Sequence, residues 1–483
     1  MITPHMLDHK TIQDLRRPLN NLEAKIVRIA MSNPSTITEE TLAWLRYIVS
    51  FARLITVRNS AGEDVDVQER LSRYRWLILH ALKPLLQRRD PVQGLLASLP
   101  KLIAETQCER AKLLEHSSLD EKALEEEVCQ RQLILVSGGG GGCGYGYAGV
   151  FQSIHRAGLQ PKMLSGTSIG SLLSLFRARS EAFDQLPMFE AVRRLRWTKV
   201  FRVLEISNRY GVPATLRLYL RDALDTMFTM KDGRAVTFND CKIPLLICTT
   251  GLTVDAFKHD LSYYEHLMDD TMSWGHRFRP GRVRRIVRMT SILYEFLSNP
   301  EAMREVIFGA DELTRQADIL DAAGFSSAVP GLIHYDVLRD DPRMKQLLDK
   351  MYGQFGITRL TEGGLVNNVP VRPAFIEVMK GRIKRRNPFI LALDCFSPQL
   401  TSLWYPVQQL VVPNVKENLF YANHYFTLKR RLPAINVVPN VTQATKAIEW
   451  TSQELSSHMP FITRMCQTHQ NLPFERIGQV GLI

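Results

Sequence analysis

The sequence holds little that would tie it to a bilayer span or to an oxidising compartment. No uninterrupted apolar run reaches the ~18 residues of a membrane-spanning helix. The opening stretch MITPHMLDHKTIQDLRRP has no apolar core of the kind a secretory signal carries, so none is expected. Seven cysteines are scattered without a CxxC pair, which argues against a disulfide framework and a zinc ribbon. Acidic residues are in deficit: 49 Asp and Glu stand against 61 Lys and Arg, a formal charge of +12. That balance favours an anionic partner such as a phospholipid surface, nucleic acid or an acidic substrate, and composition does not choose among them. Hydrophobic residues at 45% and charged residues at 23% exclude a disordered or collagen-like chain.

What is present divides the 483 residues into three stretches. Residues 1–130 read as helical: Glu39–Val57, Val67–Leu82 and Val92–Ile103 repeat apolar residues three and four apart. Thr36 or Thr38 offers a cap for the second helix, and Glu121–Glu127 is a strong helix former. From Arg131 the pattern alternates. Strands are expected at Leu133–Val136, Met163–Ser165, Lys242–Thr250 and Pro388–Asp394, with helices at Tyr147–Arg156 and Ser171–Arg179. Alternation of this kind predicts an α/β layered domain over 131–400. A C-terminal extension, 401–483, holds a β-like Ala434–Val438 and a helical stretch around Thr442–Cys466.

Three strings in the middle region carry chemistry. Gly138–Gly144 reads Gly-Gly-Gly-Gly-Gly-Cys-Gly between a strand and a helix. Such a loop turns backbone N–H groups toward a ligand and suits an anion, either a phosphate or the oxyanion of acyl transfer. No Gly-Lys-Ser/Thr follows, so a P-loop is excluded; Gly139-x-Gly141-x-x-Gly144 still fits dinucleotide spacing. Gly166-Thr-Ser168-Ile-Gly170 fits G-x-S-x-G in the strand–turn–helix setting of a nucleophile elbow. Glu362-Gly363-Gly364, followed by Asn-Asn-Val-Pro, pins a carboxylate beside two glycines. Among twelve histidines, His424 and His458 come late enough for a Ser–acid–His order, and neither sits in a motif. No His/Cys/Asp cluster has metal-ligand spacing.

Taken in order, these strings resemble the patatin-like phospholipases over about residues 131–400. Two further strings agree: Pro244–Thr253 and Ser326–Pro330. The resemblance implies a three-layer α/β domain with a central, mostly parallel sheet, preceded here by a helical N-terminal region. It implies Ser168 as nucleophile, Glu362 as the acid of a Ser–acid dyad, and the backbone of Gly139, Gly140, Gly141 and Gly142 as oxyanion hole. Gly144, Gly166, Gly170, Gly363 and Gly364 would complete the motifs. No histidine, metal or cofactor is implied. The chain departs from the family twice: Glu362 stands where Asp is usual, and Cys143 where Arg or Lys is usual. The first departure keeps a second reading open, a catalytically weak lipid-binding or regulatory scaffold. The dinucleotide reading explains neither Ser168 nor Glu362.

The expected substrate is a membrane phospholipid or other lipid ester, met at an anionic membrane surface by a cytoplasmic protein. The segment Arg277–Leu297, six arginines leading into Ile292–Leu297, is the expected membrane-facing stretch. No nucleic-acid module is recognisable, so no such partner is expected. The oligomeric state is not legible.

Overall fold

The structure is a computed structural model that describes residues 8–203, 209–212, 214–254, 299–337, 339–400, 402, 404–469 and 472. The segment Arg277–Leu297 lies outside the described residues. Chain contacts divide the protein into two compact units. One comprises 1–133, 375–389 and 458–483, the other 134–374 and 390–457.

The first unit is helical. Its helices are α1 (His9–Ser32), α2 (Glu39–Ala52), α3 (Ser72–Gln87), α4 (Val92–Glu115) and α5 (Glu121–Cys129). Side-chain caps start three of them. Asp8 accepts from the Lys10 and Thr11 amides, Thr38 from Thr41 and Asp120 from Ala123. Leu19, Leu22, Ile26 and Ala30 on α1 are buried at helical spacing. The expected helix Glu39–Val57 is too long. It stops at Ala52, and Thr56–Arg58 pairs antiparallel with Asp64–Asp66. β-branched Thr56 and Val57 suit that hairpin better than a helix end.

The second unit is α/β. Its strands are β1 (Gln132–Ser137), β2 (Met163–Thr167), β3 (Leu245–Leu252), β4 (Met303–Phe308), β5 (Arg359–Thr361), β6 (Pro388–Asp394) and β7 (His424–Thr427). They form one seven-stranded sheet in the order β5-β3-β2-β1-β6-β7, with β4 also paired to β3. The pairs β1–β2, β2–β3 and β6–β7 are parallel, whereas β4 and β5 run antiparallel to β3. β1, β2, β3 and β6 are buried at every residue, as a sheet covered on both faces requires. Continuous apolar runs made these strands visible in the sequence. A smaller sheet joins Phe201–Val203, Ala214–Leu218 and Gly331–His334.

The β-like Ala434–Val438 is not a strand. It is a turn between Pro433 and Pro439, closed by the Asn436 amide donating to the Pro433 carbonyl at 2.9 Å. Proline cannot donate to a ladder, and two of them bracket these five residues. The strand of this region is β7, just upstream.

Candidate active site

Register brings the three sequence strings to one end of the sheet. Ser137 at the end of β1 pairs with Gly166 near the end of β2, so the glycine loop leaves the sheet beside the elbow. Thr361, the last residue of β5, pairs with Thr250 of β3, while Cys248 of β3 pairs with Thr167. Glu362 therefore emerges close to Ser168 although 194 residues separate them. His424 opens β7 opposite Leu391, whereas the three strings meet where β1 and β2 finish.

Ser168 joins β2 to helix α6 (Ile169–Ala178) with φ 53° and ψ −126°. Among the described residues it is the only non-glycine at positive φ. A side chain tolerates this backbone at a cost of order 1–3 kcal/mol and only where surroundings enforce it. Here the Ser168 N–H donates to Ser326 Oγ at 2.8 Å, and Ser326 Oγ donates to the Cys248 carbonyl at 2.6 Å. The Ser168 carbonyl accepts from Ser171 Oγ at 2.6 Å and from the Leu172 amide at 3.1 Å. Gly170 is required for a different reason: a Cβ there would lie 2.1 Å from the Ser137 carbonyl oxygen.

Glu362 is fixed by its backbone. Its N–H donates to the Ala328 carbonyl at 2.9 Å, and its carbonyl accepts from Thr250 Oγ1 at 2.7 Å. The carboxylate accepts one long bond, 3.3 Å, from the Gly364 amide through Oε1, while Oε2 has no hydrogen-bond partner of normal geometry. No cation is paired with it among the described residues. Burial pushes this carboxyl up to about 8, only partly offset by the Gly364 amide and the nearby Ser168 hydroxyl. Ser168, Glu362 and the loop converge at Gly139. A Cβ there would stand 3.2 Å from Ser168 Cβ, 3.5 Å from Glu362 Oε1 and 2.8 Å from Asn368 Oδ1.

The four loop amides are not equivalent. Gly139 N–H donates to the Asn368 carbonyl at 3.1 Å and Gly142 N–H to the Ala434 carbonyl at 2.8 Å. Those two are already used. The Gly140 and Gly141 amides have no such acceptor among the described residues and remain able to bind an oxyanion.

Three contributors were not assigned to the site from sequence. Asn368 lies 4% exposed against the loop, with its side-chain Nδ2 unpartnered; the string Asn-Asn-Val-Pro was its signal. The Pro433–Val437 turn closes over the loop, with Tyr145 Oη donating to the Val437 carbonyl at 2.9 Å. Arg431 holds the neighbouring Cys395–Ser397 backbone: it donates to the Cys395 carbonyl and, at 2.6 Å, to the Ser397 carbonyl. Cys395 Sγ in turn lies 3.4 Å from the Gly139 carbonyl. Neither had a local sequence signal for this role. Cys143 is a buried neutral thiol; burial pushes it up to about 11 despite the opposing pull of Arg431.

Among the described residues no helix is long and apolar enough to cross a membrane, and no cluster of His, Cys, Asp or Glu could hold a metal ion. No curated protein matches the chain. Residues 135–375 match the family model of the patatin-like phospholipases.

Proposed function

Residues 135–375 thus belong to the patatin-like phospholipases, whose substrates are lipid esters, and on that premise we propose that Ser168 and Glu362 form the catalytic dyad of a lipid acyl hydrolase. The observation that carries the reading is the strained φ of 53° at Ser168, held beside a buried carboxylate that lacks a cationic partner.

Serine needs a base before it can attack an ester. In its ionised form Glu362 takes the Ser168 proton as Oγ bonds to the acyl carbon. The carbonyl oxygen becomes an oxyanion, and the Gly140 and Gly141 amides donate to it. Collapse breaks the ester bond, and Glu362 returns the proton to the departing alcohol. Water then attacks the acyl-Ser168 ester, giving a proton to Glu362; collapse breaks the acyl–Oγ bond, Glu362 hands that proton to Ser168 Oγ, and the fatty acid leaves. The +12 charge and the Arg277–Leu297 stretch support work at an anionic lipid surface.

The second reading, a weak or inactive scaffold, is favoured by one observation: at pH 7 a carboxyl with its midpoint near 8 is mostly protonated. A fluorophosphonate probe separates the two. The dyad predicts covalent labelling of wild type at Ser168, rising from pH 6.5 to 9, and none of Ser168→Ala. Absence of labelling across that range, with lipid present, would favour the scaffold.

A further inference from the structure

Arg16 in the helical unit is a buried cation with almost nothing to bind. It is 3% exposed, yet its one hydrogen bond among the described residues is a long contact, 3.4 Å, from Nη1 to the Arg53 carbonyl. It has no ion-pair partner there. Arg53, Arg131 and Arg75 oppose its charge and Glu127 favours it; burial first, then this repulsion, pushes the guanidinium well below its usual value.

A cavity of ≈ 40 Å³ opens beside this side chain. By the ~10–15 Å³ that one water needs, it holds about three waters or one small tetrahedral ion. Its polar wall is Arg16, Arg386, Thr56, His9 and Asp66. Arg386 is 4% exposed. Its Nε donates to the Met379 carbonyl at 2.8 Å and its Nη2 to Asp64 at 2.5 Å, while Nη1 is buried without a partner. Two guanidinium groups from distant parts of the chain thus line one cavity, each with donors unused. Asp66 is the opposing charge on the wall. It is exposed at the rim and accepts from the Gln68 amide at 2.8 Å.

Leaving a buried charge uncompensated is among the costliest arrangements in a folded protein. A planar guanidinium fork matches the oxygens of a phosphate, and a tetrahedral oxyanion presents enough of them to meet both forks at once. We propose that this cavity is a binding site for a phosphate-class oxyanion, held between Arg16 and Arg386. The proposal is independent of the Ser168–Glu362 reading, because no residue is shared.

The test uses the full chain and inorganic phosphate, with chloride at equal ionic strength as the reference. Phosphate at 10 mM should raise the wild-type Tm by a few degrees, and titration calorimetry should show one site. Arg16→Met, which keeps the aliphatic bulk, should weaken phosphate binding at least tenfold and lose the Tm shift. Arg16→Lys keeps a charge without the fork and should weaken binding several-fold, so the test survives misfolding of the Met variant. Phosphatidic acid vesicles provide the second arm. Arg16-dependent co-sedimentation without a response to free phosphate would identify a lipid headgroup as the source; the reverse would identify a soluble phosphate. An absent wild-type response to both probes, or undiminished binding by Arg16→Met, overturns the proposal.

Discussion

Two buried glutamates, one in each unit, have opposite surroundings. Glu23 is wholly buried and faces three arginines: Arg46 at 3.1 Å, Arg53 at 2.6 Å and Arg131 at 3.2 Å. Burial alone would raise its carboxyl, but the three guanidinium groups outweigh burial and hold it well below the usual carboxylate range. Glu362 is nearly as buried and has a single long amide contact instead. The Gly364 amide and the Ser168 hydroxyl offset its desolvation only in part, and the carboxyl rises to about 8. Glu23 is locked as an anion and can only hold structure together. Glu362 can gain or lose a proton near neutrality, which a general base requires.

The largest expected effect breaks the chemistry without touching either glutamate. Ser168→Ala should reduce ester hydrolysis roughly 10⁴-fold or more, since no other group can carry the acyl intermediate. Its thermal stability should hold or rise, because removing Oγ relieves nothing the fold depends on. Assays on a dispersed lipid ester, alongside a melting curve, check both halves. Residual activity above a few per cent would place the nucleophile elsewhere.

Next comes the direct exchange of the two acids. Glu23→Gln leaves three arginines without their anion and should cost about 3–5 kcal/mol of stability, as breaking a buried ion cluster does. Activity per folded molecule should be nearly unchanged. Glu362→Gln should do the reverse: at least a ~10²-fold loss of activity with no loss of stability. Urea unfolding and a kcat measurement on each variant decide the matter. If Glu23→Gln lowered kcat as much as Glu362→Gln, the contrast would be wrong.

The two acids also set opposite limbs of the pH dependence. The Glu23 carboxyl is depressed on folding, so its contribution is present above about pH 4.5 and is lost as pH falls further. The Glu362 carboxyl is raised, so its neutral form favours folding at low pH and that contribution fades as pH climbs through about 8. Catalysis runs against stability here, because only the ionised Glu362 accepts the serine proton. Activity should therefore rise up to tenfold between pH 7 and 9, while wild-type Tm drifts down relative to Glu362→Gln. Glu362→Asp should retain activity, with the same rising limb. A flat profile across that range would remove Glu362 as the base.

How much of this was legible depended on how local the physics is. The elbow and the glycine loop could be read because the chain must turn sharply within five residues, and small residues mark where it does. The strands β1, β2, β3 and β6 were legible as continuous apolar runs. β4 and β5 were not, since Arg304-Glu305 interrupts the apolar run of Met303–Phe308 and Arg359–Thr361 is only three residues long. The Pro433–Val437 turn was misread as a strand because Ile435, Val437 and Val438 look β-forming, whereas their partner is a glycine loop about 290 residues earlier. The surroundings of Glu362 were equally hidden. Its raised carboxyl depends on the absence of a cation in three dimensions, which no string of residues records.

The smallest expected effect concerns Arg431, which sharpens the comparison from the side of the active site. The family's usual basic residue is missing at Cys143, and Arg431 is the cation that holds the adjoining backbone in this chain. Its guanidinium reaches the Cys395 and Ser397 carbonyls rather than Glu362, so it orders the wall of the loop without neutralising that carboxylate. If the loop amides serve the proposed reaction, Arg431 acts as a positioning residue through Cys395, whose Sγ lies 3.4 Å from the Gly139 carbonyl. Arg431→Met should loosen the two amides left for the oxyanion and lower kcat about tenfold, or ~1.4 kcal/mol of transition-state stabilisation. KM should change little, and the rising limb near pH 8 should stay in place because the surroundings of Glu362 are intact. Arg431→Lys should recover part of the loss. A shift of that limb toward lower or higher pH in the Met variant would mean that Arg431 acts on the carboxylate itself, and Glu362 would then resemble Glu23 more than its surroundings suggest.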